Sequence, residues 1–132
     1  MAKKRVIIPS GGAKPLAPYS PGIRYGKLVF TSGQVGIDPA SGKLAEGGVA
    51  AQAKQALLNL QAVLEAAGCR MEDVLKCTVF MRDMADYGAI NEVYGQFFTE
   101  NPPARSAVAV LGLPIDALVE VEAVAIRRKK KK

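Results

Sequence analysis

The stretch LVEVEAVAI, residues 118 to 126, alternates with a strict period of two. Val119, Val121, Ala123 and Ala125 point one way, and Glu120, Glu122, Val124 and Ile126 the other. Alternation of this kind is a β-strand, and each side of it has to be read as a separate face. The first side is small and apolar and suits packing under helices. The second mixes carboxylates with apolar groups, which is odd for a face that simply meets water. Such a face fits better against another subunit or a ligand pocket, so an oligomer is expected.

Upstream of this strand the helical signals are clear. Between Val49 and Ala67, the residues Val49, Ala53, Ala56, Leu57, Leu60, Leu64 and Ala67 recur at helical intervals. Gln52, Gln55, Asn59 and Gln61 fall on the other side, and Gly68 stands where a C-terminal cap wants left-handed geometry. A second helix is expected from a cap at Asp83 or Asp86 to about Phe98, with Ile90, Val93, Tyr94 and Phe97 as its buried stripe. Asn101-Pro102-Pro103 ends it.

The remaining strands follow from β-branched and aromatic runs. They are Arg5 to Pro9, Leu28 to Ile37 interrupted by Gly33, Val74 to Met81, and Ser106 to Leu111. Residues 10 to 22, SGGAKPLAPYSPG, are rich in proline and glycine and read as an ordered loop, and DPASGK, 38 to 43, reads as a turn. The order ββαβαββ implies an α+β sandwich, one sheet with two helices packed on one face.

Composition bounds the chemistry. The 132 residues are enough for one domain with one core, expected over 1–126. The net charge of +6 equals the charge carried by RRKKKK at 127–132, so the body is formally neutral. A run of like charge is expected to be a flexible, solvated tail, and the body shows no basic stripe interleaved with aromatics for reading nucleic acid. No apolar run approaches the roughly 18 residues that span a bilayer, and MAKKRVIIP is too short for a signal peptide. A cytoplasmic location is the default. The chain has no histidine, which removes histidine-based nucleophilic and general-base schemes and leaves no good donor set for zinc. Cys69 and Cys77 are expected to be reduced, packed thiols. Met71, Met81 and Met84 read as core or boundary fillers, and Tyr87, Tyr94, Phe97 and Phe98 as helix packing rather than a base-stacking platform.

Two charged residues stand out. Arg105, in NPPARSAV, lies where a rigid turn meets an apolar strand, and Glu120 lies near the start of the last strand. Paired as a plain hairpin turning around residues 112 to 117, these strands would hold the two side chains at opposite ends. They could share a cleft through a twisted register, or meet across a subunit boundary. Each could equally be a surface salt-bridge partner.

PARSAV, LPIDALVEVEAVAI and FTSGQVGIDPASG resemble signature segments of the RidA/YjgF family, and the likeness continues through GGVAAQAKQAL, EAAGC and KCTVFMRD. The resemblance implies a homotrimer with a chorismate-mutase-like fold, a mixed sheet closing into a central barrel, and clefts between subunits. It also implies a 2-iminoacid deaminase without cofactor or metal. Such an enzyme hydrolyses reactive enamine and imine species, such as 2-aminoacrylate, 2-iminopropanoate and 2-iminobutanoate, to 2-keto acids and ammonia. In that reading Arg105 binds the substrate carboxylate and Glu120 handles the attacking water. Tyr19 closes the cleft, Ser32 and Gly33 supply a hydroxyl and a close backbone approach, Asn91 lines the cleft, and Ala107 offers its backbone N–H. The loop APYSPG departs from the family pattern at Ala17 and Pro21. The alternatives are an RNA-directed ribonuclease or translation inhibitor, using the basic tail, and a non-catalytic binder of a keto acid or amino acid.

Overall fold

The computed structural model describes residues 3–12 and 15–128. The expected tail falls mostly on 129–132, outside the described residues. Arg127 and Arg128, at its start, are tied to the body: the Arg127 amide donates to the Lys27 carbonyl (2.7 Å), and Arg128 Nε pairs with the buried carboxylate of Asp73 (2.6 Å).

The chain opens with an antiparallel meander of β1 (Arg5–Ile7), β2 (Gly22–Tyr25) and β3 (Leu28–Thr31). The sequence reading ends the loop at Gly22 and assigns no element to residues 23 to 27, where most of β2 lies. Its GIRY run carries little apolar signal; pairing with β3 across a turn makes it a strand, and Gly26 (φ 61°) supplies the left-handed residue that turn requires. A short β4 (Gln34–Val35) follows, then a small hairpin of β5 (Ile37–Asp38) and β6 (Lys43–Leu44) around the expected turn.

Helix α1 (Val49–Ala66) has Ala67 as its C-cap, and the following Gly68, with a φ of 84°, supplies the expected left-handed residue. Leu57, Leu60 and Leu64 are almost wholly buried, each contributing about 1.5–3 kcal/mol of hydrophobic stabilisation. Gln52 and Asn59 are buried as well, contrary to the polar side expected for them. Each satisfies backbone groups that water cannot reach. Asn59 donates to the carbonyls of Val35 (3.1 Å) and Ile37 (2.8 Å), and the Gln52 side-chain oxygen accepts from the Leu118 amide (2.8 Å). These bonds peg α1 to β4 and to the entry of the last strand.

Strand β7 (Val74–Met81), helix α2 (Tyr87–Phe97), β8 (Ala104–Ala109) and β9 (Val119–Ile126) complete the fold. Asp83 caps the single 3-10 turn before α2 through the Ala85 amide (2.9 Å), whereas Asp86 makes no side-chain cap. The sheet order is β1-β2-β3-β9-β7-β8, with β4 also pairing with β9. β9 is therefore central, and β8 is an edge strand parallel to β7. The hairpin of β8 with β9 does not form, because β7 lies between them. Val119, Val121, Ala123 and Ala125 are all buried, as their alternation predicts. They pack with Ile90, Val93, Tyr94 and the α1 leucines in one core, so both helices cover the same face. Cys69 and Cys77 are free and buried. Of the methionines, Met81 is fully buried but Met84 is half exposed on the turn before α2. No helix among the described residues is long and apolar enough to cross a membrane.

Candidate functional site

Residues that pair across strands point to the same side of a sheet. On β7, Cys77, Val79 and Met81 are buried toward the helices, leaving Thr78 and Phe80 on the open face. Arg105 pairs with Cys77 and Ala107 with Val79, so both face the helices. Glu120 pairs with Phe80 and with Val35 at opposite sides of β9, and it shares the open face with Phe80. The sheet itself separates Arg105 from Glu120.

Around Arg105 the helix side forms one group. Its Nη1 donates to Asn91 Oδ1 (2.8 Å) and its Nη2 to the Tyr87 hydroxyl (3.0 Å). The guanidinium carbon lies 4.8 Å from the Tyr94 ring centroid and 5.6 Å from that of Tyr87. Both distances suit a cation over an aromatic face. Tyr87, expected as helix packing, is instead 38% exposed and turned to the arginine. Behind it, the Cys77 thiol and the Tyr94 hydroxyl are pushed up in pKa chiefly by burial, so neither supplies an anion near neutrality. Ala107 is half buried beside this group.

Glu120 organises the other face. A Cβ added to Gly33 would stand 2.6 Å from Glu120 Cδ and 2.8 Å from Oε1, so the missing side chain is what admits the carboxylate. Burial first, and the charge of Glu122 second, raise the Glu120 pKa. Ser32 adjoins Gly33, but its hydroxyl donates to the Ser20 carbonyl (2.6 Å), and its amide to the Pro21 carbonyl (2.9 Å). That proton holds the loop; only the lone pairs of the hydroxyl remain to offer. Tyr19 is exposed on the same loop, and its hydroxyl accepts from the Leu16 amide (3.2 Å). It lines a cavity of about 210 Å³ between this loop and α1, to whose lining Gly33 also contributes.

The chain thus carries two groups: Arg105, Asn91 and Ala107 by α2, and Glu120, Gly33 and Ser32 at the open face, with Tyr19 on the adjoining loop. Tyr87 and Tyr94 were missed as partners of Arg105. Their spacing from Asn91, four before and three after, sets all three on one helical stripe, which is the signal that could have found them. No group of three or more His, Cys, Asp or Glu able to hold a metal occurs among the described residues.

A family model described as Endoribonuclease L-PSP matches residues 11–127. The chain belongs to the RidA/YjgF family. Among RidA relatives, a human protein named 2-iminobutanoate/2-iminopropanoate deaminase is 44% identical over 124 residues, covering 94% of this chain and 90% of that one. A RutC family protein of Pyrococcus horikoshii is 45% identical, covering 94% and 98%. The fold agrees: the YjgF gene product of E. coli superposes with a TM-score of 0.88 at 42% identity, over 94% of this chain and 99% of that one. E. coli TdcF with bound serine gives 0.89 at 40% identity, over 94% and 99%.

Proposed function

We propose that this chain is a cytoplasmic 2-iminoacid deaminase. Its working cleft forms where Arg105 of one subunit meets Glu120 of the next in a homotrimer whose sheets make a central barrel. The observation that carries this reading is the separation of the two residues by the sheet, which leaves each group with half of the required chemistry. The open face is suited to a neighbour, because Leu28, Phe30 and Ile126 are 38–43% exposed there, beside the half-buried Val124 and Glu120. Names and titles of relatives support the substrate class: the human relative is named for two imino acids, and TdcF holds serine, an amino acid.

The chemistry needs little more than placement. Arg105 presents a planar, permanently charged fork to the substrate carboxylate, which fixes the C=N carbon beside the opposite group. Ionised Glu120 accepts a proton as water adds to that carbon, and its raised pKa makes it a stronger base than a free carboxylate. Nitrogen takes that proton back to give the neutral carbinolamine, and Glu120 then relays the hydroxyl proton to nitrogen as the C–N bond breaks, leaving a 2-keto acid and ammonia. Water is the only co-reactant. Gly33 gives the carboxylate room, Asn91 holds the fork, and Ser32 and Tyr19 shape the loop that closes the cleft, to which Ala107 offers its N–H.

The test is hydrolysis of imines made in situ by an amino-acid oxidase or a dehydratase. Wild-type protein accelerates keto-acid release and Arg105→Ala does not, with its oligomeric state unchanged. No acceleration over buffer by wild-type protein, across several imino acids, would refute the proposal.

A further inference from the structure

Helix α2 does more than carry Asn91 to the arginine. Tyr87, Asn91 and Tyr94 follow one another at four- and three-residue steps on one face of α2 and all reach the Arg105 guanidinium. Tyr94 is fixed by the core, 7% exposed and 4.6 Å from the Phe98 ring. Tyr87 is different: at 38% exposure it contributes little to the core, yet both its hydroxyl and its ring are spent on Arg105.

We infer that Tyr87 is a positioning residue that sets the plane in which Arg105 receives the substrate carboxylate. This rests on the reading of Arg105 as the carboxylate binder. A guanidinium has five N–H groups, and Asn91 and Tyr87 take one from each terminal nitrogen. One N–H on each terminal nitrogen remains, together with that on Nε, and two parallel bonds to a carboxylate need neighbouring donors held in one plane. A single acceptor at Asn91 would leave the fork free to pivot about that contact. The second acceptor, on the other terminal nitrogen, removes the pivot, and the flanking rings of Tyr87 and Tyr94 limit tilting. The substrate then meets a fork already oriented, instead of ordering it on arrival.

Tyr87→Phe keeps the ring and loses the acceptor; Tyr87→Leu loses both. KM and kcat are measured with an in-situ imine, and the Kd of pyruvate, a 2-oxo acid of the product class, is measured by calorimetry. Loss of one such hydrogen bond predicts a rise of roughly 3- to 10-fold in KM and in the pyruvate Kd for Tyr87→Phe. Tyr87→Leu loses more, while kcat stays within about twofold and the melting temperature is unchanged, as expected of a residue outside the core. In an Arg105→Lys background, Tyr87→Phe costs nothing further, because the fork it orients is gone. Wild-type KM and pyruvate affinity in Tyr87→Leu, alongside a large loss in Arg105→Ala, would overturn the role of Tyr87 and leave Arg105 standing. Unaltered pyruvate affinity in Arg105→Ala would overturn both.

Discussion

Gly33→Ala isolates the geometry of Glu120 from the stability of the fold. Gly33 does not have the left-handed backbone that would exclude alanine. The methyl group would stand 2.6 Å from Glu120 Cδ and 2.9 Å from Cγ, against roughly 3.5–4.0 Å for ordinary carbon contact. The carboxylate must therefore retreat by about 1 Å or more. It can do so by rotating, at a cost of about 0.5–1.5 kcal/mol if it leaves a rotamer well. The loss of chain entropy in the unfolded state on replacing glycine returns about 0.4–1 kcal/mol. Net stability should change by less than about 1 kcal/mol. A 1 Å displacement of a reacting group, by contrast, can cost on the order of 100-fold in rate. The assay pairs imine hydrolysis with urea unfolding: kcat/KM falls about 100-fold while the unfolding midpoint barely moves. Wild-type activity in Gly33→Ala would refute the role of the Gly33 gap in placing Glu120.

Four further outcomes follow from particular contacts and charges. A Cβ at Gly36 would meet the Gln52 carbonyl at 2.5 Å and its Cα at 2.7 Å, both backbone of α1, so Gly36→Ala should cost about 1–3 kcal/mol by urea unfolding; an unchanged midpoint would contradict the close packing of α1 there. The charge of Glu122 helps raise the Glu120 pKa, so Glu122→Gln should move the acid limb of the pH–kcat/KM profile to lower pH, and a shift the other way would contradict Glu120 as the base. Because the folded chain holds the Glu120 proton more tightly than the unfolded chain does, this carboxyl contributes stability at acid pH that is lost as pH rises through its folded-state pKa, and Glu120→Gln should abolish that loss. Arg128→Ala should destabilise by about 1–2 kcal/mol by urea unfolding, since the Asp73 carboxylate is buried and loses its shortest ion pair; an unchanged midpoint would contradict that role.

The helices and long strands were legible because their patterns are local. The leucines of α1 and the alternation of β9 each report one buried face, and both elements lie within a residue of where they were expected. β2 was not legible, because GIRY owes its strand state to a partner across a turn rather than to its own residues. The parallel pairing of β7 with β8 was not legible either: β8 and β9 are neighbours in sequence, and only the insertion of β7 between them in the sheet separates them. That insertion decides which side of the sheet Arg105 faces. Arg105 and Glu120 could thus be picked out individually, while their placement on opposite faces needed the register. Tyr87 was masked by its chemistry, since a tyrosine at the start of a helix resembles ordinary packing until its hydroxyl is seen on the arginine.

The most direct measurement mixes two inactive chains. Arg105→Ala and Glu120→Gln proteins are unfolded, combined in equal amounts and refolded together, and imine hydrolysis is compared with each variant refolded alone. If each cleft takes its arginine from one subunit and its glutamate from the neighbour, random assembly makes about one cleft in four intact, and about a quarter of wild-type activity returns. Activity that stays at the level of the two parents would contradict a cleft shared between chains.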